Sequence, residues 1–309
     1  MTNHTVGRYG TGSGSIVTAA DDSPLSTIDP STTIRLLADS GFVLFRGFTA
    51  DLESFSALVR AHSGRITLDP ARSFHGGDVA QKVDAGTAAV GLHIENGNSP
   101  FAPDLTWFYC EKAAAAGSET TVCDGYRVWD AFTEETRERF AGQDIAYSRR
   151  VDEDKWKAYV RHALGGERAD EDISVQDMRT LAAGSGTTII KELPDGAIHY
   201  EYRVRAAHET LFGARPAFAN SILGPSYNYE KPRICFADES DFSAALLGEV
   251  VARTEELTEN LSWQDGDVAL IDNTRVMHGR REILDTGRTI YNAQSYLAAH
   301  LLETPQLSC

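Results

Sequence analysis

The chain has 309 residues and a formal net charge of −16 at pH 7, from 29 basic and 45 acidic residues. Hydrophobic residues make up 42% and charged residues 24%, a globular composition that excludes a disordered or collagen-like chain. Binding to nucleic acids or anionic membranes depends on Lys and Arg, so the excess of acid argues against both as partners. No apolar run approaches the roughly 18–20 residues that span a bilayer.

Residues 1–30 are rich in Gly, Ser, Thr and Asp and lack the apolar stretch of a secretion signal. They predict a flexible N-terminal arm, followed by a single domain over 31–309. The four cysteines show no CxxC spacing and are too few for a disulfide framework. These features predict a cytoplasmic protein.

Apolar residues at helical spacing predict a helix that begins at Ser31 and ends at Gly41. The same periodicity predicts further helices over residues 51–61, 127–140 and 241–261. Strand-like runs occupy residues 41–48, 88–95, 105–112, 119–123, 187–193, 197–204, 267–271 and 289–297. Short strands separated by turns favour a jelly roll over a parallel α/β sheet. We therefore predict a mainly β fold with flanking helices and a double-stranded β-helix (jelly-roll) core.

The segment 150–185 is polar and interrupted by glycines. It predicts a lid or insertion around 150–210, which shapes the pocket of the folded domain.

Two His-x-Glu pairs, His93-x-Glu95 and His199-x-Glu201, are candidates for metal binding. Side chains two apart on a strand point to the same face and can reach one ion. About one such pair is expected by chance from this composition, so neither is informative alone. His278 follows a buried apolar run and offers a third ligand. Two His and one carboxylate leave one face of the ion open, as in non-haem Fe(II) and O2 chemistry.

Two further residues favour the first pair. Arg288 lies ten residues after His278, where a strand restarts, and can bind a carboxylate bidentately. Thr120 lies 27 residues after His93, and its hydroxyl can add a hydrogen bond to the same anion. No threonine stands at the matching offset from His199, which remains an open alternative.

The ordered set of these residues resembles that of the taurine dioxygenase-like Fe(II)/2-oxoglutarate oxygenases: His93, Glu95, Thr120, His278 and Arg288. The segment GFVLFRGF at 41–48 is similar to the opening helix–strand segment of that family. The string DNTRVMHGR at 272–280, with Glu in place of the commoner Asp at position 95, resembles the clavaminate synthase and amino-acid β-hydroxylase branch. The resemblance covers residues 41–298.

The resemblance implies that His93, Glu95 and His278 hold Fe(II), to which 2-oxoglutarate and O2 bind. Arg288 and Thr120 would bind the far carboxylate of 2-oxoglutarate, which is decarboxylated to succinate. The implied reaction oxidises an unactivated C–H bond of a small amino-acid-like substrate, in specialised metabolite biosynthesis. Hydroxylation is the default outcome, and desaturation or cyclisation can occur at the same centre.

Two departures from the family pattern concern the substrate. Many relatives have a second arginine four residues after the first, where it binds an anionic group of the substrate; here that residue is Asn292. The separation of His93 and His278 by 185 residues is long for the family and supports the predicted insertion. Candidate substrate contacts are therefore taken from several segments: Asn96, Asn98, Arg275, Tyr227 and Asn292.

Two other functions remain open on sequence alone. A zinc-dependent hydrolase could use the same three ligands with a metal-bound water, although Arg288 and Thr120 would then have no role. A non-catalytic jelly-roll binding module would need no metal. The partner expected for the oxygenase is a small-molecule substrate.

Overall fold

The computed structural model describes residues 4–67, 74–83, 86–164, 166, 168–184, 186–225 and 231–302. This part of the chain has eight α-helices: α1 (Pro30–Ser40), α2 (Leu52–His62), α3 (Gly125–Ala131), α4 (Glu134–Gly142), α5 (Glu153–Ala163), α6 (Val175–Leu181), α7 (Ala244–Leu257) and α8 (Ala299–Leu302). Its strands outnumber the helices: β1 (His4–Arg8), β2 (Ser15–Ala19), β3 (Phe42–Arg46), β4 (Ser63–Thr67), β5 (Phe74–His75), β6 (Ala80–Lys82), β7 (Val90–His93), β8 (Leu105–Lys112), β9 (Thr120–Asp124), β10 (Asp144–Val151), β11 (Thr187–Glu192), β12 (Ile198–Arg205), β13 (His208–Thr210), β14 (Gly213–Ala217), β15 (Arg233–Phe236), β16 (Glu259–Leu261), β17 (Val268–Asp272), β18 (Val276–Arg280) and β19 (Thr289–Leu297). The predicted mainly β fold with flanking helices is confirmed.

Two sheets contribute side chains to one apolar layer. The larger sheet has the order β1-β2-β3-β17-β8-β19-β6-β5, and β4 pairs with β19. The smaller has the order β16-β9-β18-β7. Phe108 and Ile271 of the larger sheet share a buried cluster with Val122 and Val276 of the smaller one. Burial of this layer holds the two sheets together.

The opposite face of the larger sheet is covered by α1 and α2. Leu37 of α1 and Phe55 of α2 are fully buried with Trp107 of β8 in a second apolar cluster. The carboxylate of Asp29 accepts the N–H of Thr32 and caps α1, two residues before the predicted start. As predicted, α1 ends at a glycine, because Gly41 adopts a left-handed conformation with φ of 79°.

A third sheet has the order β11-β12-β10-β15. Strands β11 and β12 lie within the predicted insertion around 150–210, whereas β10 begins before it and β15 follows it. The strands of this sheet bury Tyr147 and Ile198 in an apolar cluster that also receives Trp156 of α5 and Met178 of α6. A smaller hairpin, β13-β14, follows in the chain. The strand-like runs at 187–193 and 197–204 correspond to β11 and β12, which pair as an antiparallel hairpin.

Two predicted helices are shorter than expected. The segment 127–140 forms α3 and α4 instead of one helix, because Thr133 caps α4 by accepting the N–H of Thr136. The segment 241–261 ends as β16 and not as helix, since residues 259–261 pair with β9.

The predicted flexible arm over residues 1–30 is wrong for the part that the structure describes. β1 and β2 form an antiparallel hairpin, and β2 joins the larger sheet by parallel pairing with β3. Val17 is 3% exposed in this position. Gly14 lies against the ring of Phe42, where a side chain would not fit, since an added Cβ would be 2.0 Å from Cζ. In the turn between β1 and β2, Gly14 is therefore required by close packing and does not indicate flexibility.

No helix in the described part of the chain is long and apolar enough to cross a membrane.

Candidate metal centre

His93 and His278 face each other on neighbouring strands. His93 is the last residue of β7 and pairs across the antiparallel ladder with His278 of β18, with ring centroids 4.5 Å apart. Glu95 follows two residues later, and its Oε1 lies 3.4 Å from Nε2 of His278. One potential ligand atom from each of the three side chains lies within 4.8 Å of the others. Among the described residues, this is the cluster that can hold an ion.

The ring of His93 is oriented by the backbone of its own strand. Its Nδ1 lies 2.8 Å from the carbonyl oxygen of Gly91, which can only accept a hydrogen bond. Nδ1 therefore carries the proton, and Nε2 keeps its lone pair for a metal ion. Burial, followed by the proximity of His278, lowers the pKa of His93 to about 4. A neutral imidazole with a free lone pair fits the requirements of Fe(II).

A cavity of about 590 Å³ opens beside the cluster. The larger sheet contributes Phe108, Ile290 and Asn292 to its wall, and the smaller sheet contributes Thr120, Gly279 and Arg280 along with the two histidines. The chain between β14 and β15 adds a further part of the lining: Leu223, Gly224, Pro225 and Lys231. None of the described lining residues comes from the predicted lid at 150–210, so this part of the wall is formed by residues 223–225 and 231 instead.

Arg288 is a buried cation in this cavity. It directly precedes β19, is 8% exposed, and its Nη2 lies 3.4 Å from the carbonyl oxygen of Val83. Among the described residues, no carboxylate lies within 4.0 Å of its guanidinium. Burial and the proximity of Arg280 lower the pKa of Arg288, so the cation is poorly stabilised by the protein alone. A bound carboxylate would relieve this cost, which fits a dicarboxylate co-substrate.

Thr120 lines the cavity at the start of β9. Its Oγ1 accepts a hydrogen bond of 3.0 Å from Nε1 of Trp263. Because the indole N–H can only donate, the hydroxyl proton of Thr120 is available for an acceptor. Trp263 was missed at the sequence level, since it lies 143 residues away, between β16 and β17, and carries no motif.

Asn292 contacts the acidic member of the cluster. It lies on β19 opposite Phe108, and its Nδ2 donates a hydrogen bond of 3.2 Å to Oε1 of Glu95. The ring of Phe108 in turn packs edge-on against His278 at 5.3 Å between centroids. Both residues therefore support the ligand cluster from the larger sheet.

The structure does not bring Arg275 to the cavity. Its guanidinium forms a buried ion pair with Asp124, at 2.7 Å, and donates to the carbonyl oxygens of Ala38 and Asp39 near the end of α1. The predicted substrate role does not fit this placement, because the charge is already matched and the side chain joins α1 to β9.

Asn96 and Asn98 also lie outside the cavity lining. Asn96 adopts a left-handed conformation, with φ of 55°, and its Nδ2 donates to the oxygens of Phe101 and Gln294. Asn98 is buried in the same turn. Tyr227 lies outside the described residues.

The alternative pair, His199 and Glu201, lies on β12 of the third sheet. Glu201 accepts a hydrogen bond of 2.6 Å from Nε of Arg203. The pair does not belong to the cluster that contains His278.

With this geometry established, comparison with known proteins identifies the class. The profile of the family described as "Taurine catabolism dioxygenase TauD, TfdA family" matches residues 10–294. The chain therefore belongs to this family. It is a non-haem iron dioxygenase that uses Fe(II), 2-oxoglutarate and O2, which sets aside the zinc-hydrolase and binding-module hypotheses.

The relatives are distant but span most of the chain. A clavaminate synthase-like protein of Arabidopsis thaliana is 25% identical over 273 residues, which cover 80% of this chain and 79% of the relative. The dapdiamide synthesis protein DdaC of Enterobacter agglomerans is 23% identical over 270 residues, 80% of each chain. The crystal structure of PvcB from Pseudomonas aeruginosa superposes with a TM-score of 0.60 at 13% identity, covering 96% of this chain and 92% of PvcB.

Proposed function

We propose that His93, Glu95 and His278 hold Fe(II), and that Arg288 and Thr120 bind the far carboxylate of 2-oxoglutarate. The proposed reaction is hydroxylation of an unactivated C–H bond in a small amino-acid-like substrate. The observation that carries this proposal is the three-ligand cluster beside a cavity that contains the buried guanidinium of Arg288.

The bound metal and its co-substrates supply the oxidising chemistry, in which R–H, O2 and 2-oxoglutarate give R–OH, succinate and CO2. The protein residues orient the reactants. His93 presents Nε2 because Gly91 holds its other nitrogen, and Asn292 holds one carboxylate oxygen of Glu95. Arg288 and Thr120 donate hydrogen bonds to one end of the co-substrate, which fixes its direction in the cavity.

The charge of the cavity supports a substrate with an anionic group. Arg280, Arg288 and Lys231 line it, and Glu95 is the only carboxylate among its described lining residues. An amino-acid-like molecule carries such a group. The similarity to DdaC, a dapdiamide synthesis protein, supports a role in specialised metabolite biosynthesis.

The remaining parts of the proposal concern the fold and location. Two sheets that share one apolar layer, with the two histidine ligands on the smaller one, support a double-stranded β-helix within a single oxygenase domain. This domain includes the N-terminal hairpin as well as the predicted residues 31–309, because β2 pairs with β3. The described cysteines, Cys110, Cys123 and Cys235, are free thiols, which supports a cytoplasmic location.

An anaerobic titration of the metal-free protein with Fe(II) and 2-oxoglutarate tests the proposal. We expect a weak visible charge-transfer band from the chelated complex. Arg288→Ala should raise the apparent Kd for 2-oxoglutarate at least tenfold, since a charge-assisted pair is lost. Arg281→Ala, which removes an exposed arginine bound to Glu255, is the matched control and should leave the Kd unchanged. A wild-type protein that binds metal but gives no band would contradict the proposal.

A further inference from the structure

The backbone of Glu95 is held by a side chain and not by the β-ladder. Strand β7 ends at His93, so the alternation of strand residues positions His93 but does not extend to Glu95. The side chain that hydrogen-bonds the backbone of Glu95 is that of Asn273, directly after β17. We propose that Asn273 is a positioning residue that sets the backbone of Glu95 and thereby the affinity of the metal centre. This inference rests on the proposed role of Glu95 as a metal ligand.

The amide of Asn273 pairs with Glu95 as a neighbouring strand would. Its Oδ1 accepts the N–H of Glu95 at 2.8 Å, and its Nδ2 donates to the carbonyl oxygen of Glu95 at 3.2 Å. A side-chain amide carries the same donor and acceptor as a peptide group, so it can satisfy both. The two bonds fix the residue at both of its backbone polar atoms.

Asn273 is itself held rigidly. It is 1% exposed, and its own N–H donates to the carbonyl oxygen of Asp104 at 2.9 Å. Its Nδ2 also donates to Pro103, and its Oδ1 accepts the hydroxyl of Thr106. These bonds anchor the amide to the larger sheet, so Glu95 is positioned relative to that sheet while His93 and His278 belong to the smaller one.

The chemistry of the contact requires an amide. In Asn273→Asp, one carboxylate oxygen still accepts the N–H of Glu95, while the other faces two carbonyl oxygens, those of Glu95 and Pro103. In Asn273→Ala, the backbone of Glu95 loses both partners. Each change frees the carboxylate to leave the position in which it faces His278. Losses of such supporting contacts typically weaken metal binding about 10–100-fold.

The test measures Co(II) binding to the metal-free protein from its visible absorption, together with the Tm of each variant. We expect Asn273→Ala and Asn273→Asp to raise the Kd for Co(II) at least tenfold. The control is Asn220→Asp, at a buried asparagine whose amide donates to Ala206 and accepts the N–H of Ile222. Asn220→Asp should lower the Tm by about as much as the Asn273 variants do. Its Kd for Co(II) should stay within about twofold of wild type.

A double-variant cycle separates positioning from a general structural role. If Asn273 acts through Glu95, then Asn273→Ala has no further effect on Co(II) affinity in a Glu95→Ala background, measured at higher Co(II). An equal loss of affinity with and without Glu95 overturns the inference, as does a Kd for Asn273→Ala that matches the Asn220→Asp control. His278→Ala distinguishes the underlying proposal: if it binds Co(II) as well as wild type, the metal centre itself is wrongly assigned.

Discussion

At the scale of single residues, Asn292 places a neutral amide in the cavity wall beside Glu95. It occupies the position at which the sequence comparison expects a second arginine, and it donates to Glu95. A neutral amide can hold this carboxylate without competing with a metal cation for its charge. The positive charge of the cavity comes instead from Arg280, Arg288 and Lys231.

A second residue-scale feature is the carboxyl group of Asp272, which lies directly before Asn273. It is fully buried, and burial raises its pKa to about 6, although Thr274 donates two hydrogen bonds to Oδ1. The folded state therefore binds this proton more tightly than the unfolded state. The contribution of Asp272 to stability is fully present below pH 4 and is lost as the pH rises through 6.

We predict that Asp272→Asn removes this loss. The free energy of unfolding of the variant, relative to wild type, should increase by about 2–3 kcal/mol between pH 4 and pH 7. Urea denaturation at several pH values measures it. Asp265→Asn is the control, and its stability relative to wild type should change with pH in the opposite direction. The reason is that hydrogen bonds from Ala113 and Lys112 lower the pKa of Asp265. A difference between Asp272→Asn and wild type that does not change with pH would contradict the prediction.

At the scale of elements, the cavity wall depends on the close approach of two backbone segments. Gly224, in the chain between β14 and β15, lies so near Gly91 of β7 that a Cβ at position 224 would be 2.2 Å from the carbonyl oxygen of Gly91. That carbonyl also orients His93. Neither segment can move without the other, so the connection between β14 and β15 is coupled to the ligand strand β7.

Gly224→Ala is therefore expected to destabilise the protein by about 1–3 kcal/mol, since backbone atoms must shift. It should also weaken metal binding, because Gly91 moves with His93. Gly248→Ala is the matched control: it lies within α7 with open space around it, and alanine should stabilise that helix by about 0.5–1 kcal/mol. Thermal denaturation measures both changes: the Tm should fall in Gly224→Ala and rise in Gly248→Ala. An unchanged Tm in Gly224→Ala would show that the contact is not required.

At the scale of the whole molecule, the cavity lining and the chain as a whole have net charges of opposite sign. The chain carries a net charge of −16, while the described cavity lining carries three cations and one carboxylate. A cleft of one sign within a low-dielectric wall raises the local concentration of oppositely charged ligands. A dianionic co-substrate is therefore attracted to the cavity and repelled by the rest of the surface.

Ligand loading should stabilise the folded state, because the metal and 2-oxoglutarate bind the folded protein and not the unfolded chain. Mn(II) with 2-oxoglutarate, each at 100 times its Kd, is expected to add about 2.7 kcal/mol or more, and about 5 °C in Tm. EDTA should reverse the shift. His278→Ala should show none, and an equal shift in that variant would mean that the metal stabilises the protein elsewhere.

The sequence by itself determined the features that depend on local pattern. Residues 105–112 and 289–297 form β8 and β19 with the predicted bounds. The first contains a nearly continuous apolar run, and both are rich in the β-branched and aromatic residues that favour strands. Gly41 ends α1 because few other residues adopt its backbone conformation. The family resemblance carried by His93, Glu95 and His278 implied one cluster of these three residues, which the structure contains.

Tertiary structure alone decided the contacts between segments that are far apart in the chain. Arg275 bonds to Asp124, 151 residues away, and Asn273 bonds to Glu95, 178 residues away. Hydrogen-bond donors and acceptors carry no record of their partners in local sequence. The N-terminal hairpin shows the same limit. Its glycines predict a flexible segment, whereas in the structure Gly14 packs against the ring of Phe42. Periodicity predicts which residues are buried, whereas packing decides what each of them contacts.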